Sequence, residues 1–271
     1  ELKYGENPHQ RAAYYSEVGL RQHLLSQVEQ LHGKQLSFNN LYDLHAARSL
    51  SEEFTLPGVV IIKHNNPCGA ALAENLAAAY EKAYTCDPVS AFGSVISVNR
   101  FVDLPLAERL AELFVEVLYA PGYEPDALEL LKKKADIRIL ETRERRQSNP
   151  GEYDYKRVLG GILVQDKDSV LEERDEMKVM TERHPTEREW GDLLFAFRIA
   201  KHVKSNAIVM AKDLGTVGIG AGQMSRVDST RLAIEKAQLD LQGAVVGSDA
   251  FFPFPDAVEL AIENGVTAFI Q

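Results

Sequence analysis

The chain has 271 residues, 45% of them hydrophobic, with 30 Lys and Arg against 40 Asp and Glu for a net charge of −10. That gives room for one large or two ordinary domains, and argues against a broad nucleic-acid footprint or an anionic membrane surface, while an anionic small molecule needs only a local basic pocket. Two cysteines are too few for a disulfide framework, the first twenty residues hold no apolar signal region, and the apolar runs fall far short of the roughly 20 residues of a bilayer span, so a soluble protein of a reducing cytoplasm is expected.

The chain opens, without an initiator Met, on the polar stretch ELKYGENPHQ, as a segment cut from something longer does. Apolar spacing then predicts a helix over EVGLRQHLLSQVEQL (17–31) and another over NLYDLHAARSLSEEF (40–54), capped by Asn39 or Asn40. Residues 59–62 form a continuous apolar run of strand type, and the Ala-rich ALAENLAAAYEKAY (71–84) reads as a helix, giving strand, loop, helix. Next come a strand in GSVISVN (93–99), a helix over LPLAERLAELFVEVL (104–118), a helix in PDALELLKKKA (125–135) and the strand IRIL (137–140). Alternation of this kind predicts α/β layers.

From 141 to 183 the order loosens, with a single strand candidate, RVLGGILVQ (157–165), between charged stretches. This reads either as a connection between lobes or as solvated loops and a surface helix. Thr186 and Glu189 then form a capping box at the head of an amphipathic helix (185–203), where a second lobe begins. It continues through strands in NAIVMAK (206–212) and TVGIGAG (216–222), a helix over 229–241, and a last helix and strand after Pro255. The helix, strand, polar-loop order of residues 1–183 recurs loosely in 184–271, a hint of duplication. The apolar strand 266–270 ends the chain with no polar exit, so either a C-terminal piece lies beyond it or an edge strand finishes the fold.

Chemistry concentrates in a few stretches. Lys63-His64-Asn65-Asn66 falls at a strand end, the usual place for a ligand in an open α/β sheet, and Lys63 beside His64 favours a neutral, basic imidazole. The competing reading is a solvated lysine and a histidine satisfied by a backbone carbonyl. Pro67-Cys68 raises the question of zinc, but a zinc deaminase needs a C-x-x-C pair and Cys86 lies far from Cys68, so no zinc is expected and Cys68 reads as a small residue at a helix start. Phe92 and Gly93 offer a flat ring and a close backbone approach, or simply a turn with a core phenylalanine. GIGAGQMSR (218–226) reads as a phosphate-binding glycine loop ending near Arg226 or as a tight strand-to-helix turn, and it meets neither the dinucleotide nor the P-loop fingerprint. Ser205 and Asn206 stand at a strand start. SDAFFPFPD (248–256) is either a core cluster or an aromatic shelf for a heterocycle.

KYGENPHQ, LSFNNLYDL, KHNNPCGAA, CDPVSAFGS, FVEVLYAPGY, VKSNAIV, GIGAGQMSR and SDAFFPFPD occur in the order of the AICAR transformylase domain of the bifunctional purine-biosynthesis enzymes, and the chain resembles that family along essentially its whole length. The resemblance implies duplicated cytidine-deaminase-like three-layer α/β lobes and a homodimer with shared active sites. It implies formyl transfer from the co-substrate 10-formyltetrahydrofolate to the 5-amino group of AICAR, an aminoimidazole carboxamide ribonucleotide, in IMP biosynthesis. Carried over, Lys63 and His64 match the catalytic pair and Asn206 the amide that holds the formyl oxygen. Lys3, Tyr4 and Arg226 fall at nucleotide contacts, Glu116 at a carboxylate near the nucleotide, and Phe92, Gly93, Phe251 and Pro253 around the heterocycles. Lys3 stands where the family commonly has arginine, which keeps the charge and loses the bidentate fork. The family also admits a structural potassium, with Ser205 and Asp249 as neighbours, is accompanied by an IMP cyclohydrolase domain on the N-terminal side, and continues past this C-terminus. A non-catalytic folate- or nucleotide-binding module is the alternative expectation.

Overall fold

The computed structural model describes residues 1–15, 28–142, 153–168 and 174–271. In chain order the first elements are β1 (Glu29–His32), α1 (Phe38–Ser51), β2 (Gly58–Lys63), β3 (Asn66–Leu72), α2 (Leu76–Cys86), α3 (Pro88–Ala91), β4 (Ser94–Val98), α4 (Leu104–Glu112), β5 (Val115–Ala120), α5 (Pro125–Lys132) and β6 (Arg138–Glu141). They continue with β7 (Tyr153–Val158), β8 (Gly161–Asp166), α6 (Glu187–Ala200), β9 (Ile208–Lys212), β10 (Gly215–Gly220), α7 (Arg226–Lys236), β11 (Val245–Ser248), α8 (Asp256–Glu263) and β12 (Ala268–Ile270).

Ten strands share one mixed sheet in the order β1-β6-β5-β4-β2-β3-β10-β9-β11-β12. Val60 and Ile62 of β2 point into one hydrophobic cluster, Val59 and Ile61 into another. A strand apolar on both faces needs cover on both, and the helices supply it. The face under α1 and α6 is one continuous core across the whole sheet. The opposite face carries two separate clusters, one under α2, α4 and α5 and one under α7 and α8. The pairings repeat: β2 lies antiparallel to both β3 and β4, with β4 parallel to β5, and β9 lies antiparallel to both β10 and β11, with β11 parallel to β12. The halves meet where β3 pairs antiparallel with β10.

Several sequence expectations change. Most of the helix expected at 17–31 lies outside the described residues, and its end is strand β1. The cap of α1 is Ser37, in a capping box with Asn40, rather than Asn39 or Asn40 itself. Residues 66–72 are strand β3, so Cys68 sits in a strand and α2 begins only after its cap, Asn75. The helix expected over 104–118 stops at Glu112, because Leu113, Val115 and Val117 alternate with period two and Leu113 is extended; the chain passes directly into β5. The single strand at 157–165 is a hairpin, β7 and β8, turning at Leu159 and at Gly160 with φ +75°, and every residue of both strands is exposed. β11, only four residues long, left no periodic signal. Ser205 and Asn206 precede β9 instead of opening it.

The capping box of α6 forms as expected and extends into tertiary structure. The buried Glu189 carboxylate accepts from Arg183 Nη1 and Nη2 at 3.0 and 2.9 Å, from the Thr186 amide at 2.8 Å and from Thr267 Oγ1 at 2.6 Å. The Arg183 hydrogen bonds, opposed by burial and joined by Thr267 and Thr186, hold its carboxyl well below the usual range. A carboxyl lowered in the folded state adds stability that is complete above its unfolded pKa and fades as pH falls toward the folded one. Glu189→Ala is expected to cost about 2–3 kcal/mol at pH 7, less than a fully buried pair because Arg183 is half exposed, and the deficit should shrink on acidification. Denaturant unfolding of both proteins at pH 7 and pH 3 checks this, and a deficit that grows in acid would contradict it.

Candidate functional site

β2 and β3 form a hairpin whose two-residue turn is His64-Asn65, with φ of +51° and +62°, closed by the Lys63–Asn66 pair. Positive φ at both central positions marks a type I′ turn, where glycine or asparagine is the low-cost choice. A histidine there occupies left-handed backbone that its side chain disfavours, and it does so at the tip of a hairpin rather than in the strand-to-helix crevice the sequence suggested. The turn is clamped from α1, where Asp43 Oδ1 accepts from Asn65 N at 2.8 Å. Burial pushes the Asp43 carboxyl above its usual value, against the turn amides and the His64 and Lys63 charges. The β9–β10 turn repeats this device: Asp213 and Leu214 both have positive φ, and both amides donate to the buried Asp192 of α6.

Lys63 does not point at His64. Its Nζ donates to the carbonyls of Phe92 and Gly93, each at 2.8 Å. Gly93 has φ +64° and donates its amide to Phe114 O at 2.7 Å, while the 60% exposed Phe92 ring packs on Phe114 with centroids 5.3 Å apart. A Cβ on Gly93 would lie 3.3 Å from Lys63 Nζ, a contact the flexible lysine could relieve, so it is the positive φ that calls for glycine here. Beside this group lies a cavity of about 300 Å³ lined by Lys63, His64, Cys68, Asp87, Gln223 and Lys236 among others. Burial pushes the Cys68 thiol up, and pushes Cys86, also on the wall, up to about 12, so both remain thiols. Asp87 is held below the usual range: burial acts to raise it, and hydrogen bonds from Ser90 and Lys236 outweigh that.

A second cavity, about 340 Å³, is lined by Asn206, Arg226, Phe251, Phe252, Pro253 and Phe254 among others. Arg226 is the first residue of α7, and its Nη1 is committed to Asp249 Oδ1 at 2.6 Å and Ser248 Oγ at 2.8 Å. Asp249 is lowered because hydrogen bonds from Ser205, Arg226 and the Ala207 amide outweigh the effect of burial. Phe251 and Phe254 are 67% and 69% exposed at the rim while Phe252 packs on Phe269 and the core beneath, so the run is part aromatic shelf and part core. Asn206 Nδ2 donates at 3.0 Å to the carbonyl of Gln223, which itself lines the first cavity, so the two cavities adjoin.

Of the glycines in 218–226, Gly218 and Gly220 serve packing and Gly222, with φ +70°, serves the turn. A Cβ on Gly218 or Gly220 would strike the backbone oxygen of Ala233 or Ser229 in α7, at 2.2 and 1.8 Å, so the tight strand-to-helix reading accounts for them.

Lys3, Tyr4 and Glu116 form a third group that lines neither cavity. Lys3 N donates to Leu36 O and Phe38 N to Tyr4 O, strapping the N-terminal segment over the start of α1. Glu116 accepts from Asn40 Nδ2 at 3.0 Å and Arg138 Nη1 at 3.5 Å. The sequence assigns no role to Asp43 or Gln223, nor a separate one to Asn66 within the polar run 63–66. Their roles arise from contacts between distant elements, for which a linear pattern offers no sign. Among the described residues no group of three or more His, Cys, Asp or Glu is placed to hold a metal ion, and none of the helices is long and apolar enough to cross a membrane. Asp249 accepts from Ser205 and is paired with the Arg226 guanidinium, so its charge is already neutralised and the pair is a poor fit for a potassium ion.

A bifunctional purine biosynthesis protein PurH from Thermoanaerobacter sp. (strain X514) is 50% identical over the whole chain, and its counterpart from Acetivibrio thermocellus is 47% identical, again over the whole chain. The chain spans 53% of the length of each, about half. A solved structure, Acinetobacter baumannii RibD, form 1, is similar over 37% of this chain and 34% of its own at 15% identity, with a TM-score of 0.26 that carries no argument. With residues 1–236 matching the family described as AICARFT/IMPCHase bienzyme, the chain belongs to that family.

Proposed function

We propose that this chain carries the formyl-transfer reaction of purine biosynthesis, moving the formyl group of 10-formyltetrahydrofolate to the 5-amino group of AICAR. The observation that supports it most directly is the adjacency of the two cavities, one bearing Lys63 and His64, the other Asn206 and the aromatic shelf, joined at Gln223. The amine of AICAR is a weak nucleophile because its lone pair is delocalised into the imidazole carboxamide. His64, projecting from the turn, takes the amine proton as nitrogen attacks the formyl carbon, directly or through the carboxamide. General-base help of this kind is worth about 10²–10⁴-fold.

As the new C–N bond forms, the formyl oxygen becomes an oxyanion. Two of the three Lys63 N–H groups are held by the Phe92 and Gly93 carbonyls, which leaves the third for that oxygen, and Asn206 supplies an amide N–H from the other side. The intermediate collapses when the bond from carbon to folate N10 breaks and N10 receives a proton, from Lys63 or from the imidazolium of His64. Arg226, fixed by Ser248 and Asp249, and the Phe251–Pro253 shelf supply binding surface for the nucleotide and the heterocycles. Lys3, Tyr4 and Glu116 serve the nucleotide from the third group.

The repeated strand pairings support duplicated cytidine-deaminase-like lobes, 1–183 and 184–271. Exposed Phe92, Met224, Phe251 and Phe254 around the cavity mouths support a homodimer in which a second copy covers them. The acidic charge and two buried thiols suit a cytoplasmic enzyme. Calorimetry with AICAR and a formyltransferase assay on the same sample test the reading; binding without turnover would favour a non-catalytic binding module. Within that assay, Asn206→Ala is expected to lower kcat by about 10²–10³-fold. A change confined to KM would remove Asn206 from the oxyanion role.

A further inference from the structure

The seam between the two halves is laddered at one end and open at the other. Ala71 of β3 pairs with Gly215 of β10, Leu72 N donates to Leu214 O at 2.9 Å, and Thr216 Oγ1 takes over at Ala70, accepting from its amide at 3.0 Å and donating to its carbonyl at 3.2 Å. Toward the His64 tip, Pro67 has no N–H to offer a neighbouring strand. The Lys63–His64 cavity occupies this stretch, with Pro67 and Cys68 on one wall and Ile219 and Ala221 on the other.

At the mouth the Asn66 side chain ties the halves again, beside the 3.0 Å Lys236–Asp87 ion pair that crosses the same cavity. Asn66 Oδ1 accepts from Lys204 N at 2.9 Å, and Asn66 Nδ2 donates to His64 O at 3.2 Å. From Lys204 the connection runs on through backbone: Lys204 O accepts from Gly222 N at 2.8 Å, and Gln223 O accepts from both Asn206 N and Asn206 Nδ2. The candidate base and the candidate oxyanion amide thus belong to different halves of the sheet and are linked through the Asn66 carboxamide.

We propose that Asn66 is a positioning residue that fixes the separation of His64 and Asn206 across the seam. The proposal rests on the formyl-transfer reading for its kinetic consequence. Asn66 touches neither reacting group; it acts on the His64 carbonyl and the Lys204 amide. Misplacing one reacting group by about 1 Å costs on the order of 10²-fold in rate. An asparagine suits the task because it accepts on one side and donates on the other. Asn66→Asp keeps the acceptor for Lys204 N and sets a carboxylate oxygen against the His64 carbonyl, whereas Asn66→Ala removes both bonds.

The test uses a full-length protein with active sites counted by AICAR titration. Asn66→Ala should lower kcat per site about 10–100-fold, with AICAR affinity within about twofold of the parent. Amide hydrogen exchange at Lys204 should quicken in Asn66→Ala and stay protected in Asn66→Asp. Unchanged exchange in Asn66→Ala overturns the tie itself, whatever the activity. Quickened exchange with unchanged kcat, or a loss explained wholly by fewer competent sites, overturns the positioning role. If the parent protein shows no formyl transfer, the reaction assigned above fails and the exchange result alone decides whether Asn66 couples the two halves.

Discussion

His64→Ala in a full-length protein is expected to lower formyl transfer by about 10²–10⁴-fold while AICAR still binds. The size reflects the task of the imidazole: accepting a proton from a poorly basic amine in the step that makes the C–N bond. The geometry supplies a control for the backbone. With φ of +51°, His64 sits where glycine or asparagine is at ease, so His64→Gly and His64→Asn relieve the turn while removing the base. All three variants should lose turnover to a similar degree if the imidazole is the cause. A series in which His64→Asn retains near-parental kcat would assign the loss to the turn and end the general-base role. Calorimetric AICAR binding separates either result from unfolding.

Gly220→Ala is expected to destabilise the protein by about 3 kcal/mol or more, lowering Tm on the order of 10 °C. An exposed Gly→Ala change in compatible backbone would raise stability slightly by restricting the unfolded chain. Here a Cβ would meet Ser229 O at 1.8 Å and Ser229 C at 2.5 Å, and both belong to the α7 backbone, which cannot rotate away as a side chain does. The same contact recurs in the other half, where a Cβ on Gly69 of β3 would meet Ala83 O of α2 at 2.0 Å. Gly69→Ala should therefore fall in the same range. Thermal unfolding of the two variants checks both, and an unchanged Tm would show that the helices withdraw at little cost.

The chemistry-bearing stretches were legible because residue type announces them. Lys63-His64-Asn65-Asn66 stands out by its polarity after four apolar residues, and the aromatic run 251–254 by its density. The α6 capping box was legible because its hydrogen bonds close within four residues. Reading 66–72 as a loop running into a helix failed because alanine and glycine carry strong helical and turn signals, and these yielded to burial between β2 and β10. Residues 113–118 were absorbed into the preceding helix because apolar residues spaced at two and at four overlap over so short a span.

By itself the sequence determined what can be written into local composition: the α/β class, most of the helices, the start of α6 at its Thr186 cap and the identity of the polar groups with chemistry to offer. Tertiary structure alone decided which of those groups meet. Asp43 reaches the His64 turn from another element 22 residues away, Asn66 bonds Lys204 across 138 residues, and Lys63 turns from its neighbour His64 to the carbonyls of Phe92 and Gly93. Such contacts depend on how strands order in the sheet and where two of them part, and hydrophobic periodicity fixes the face a residue takes without fixing its partner across the seam.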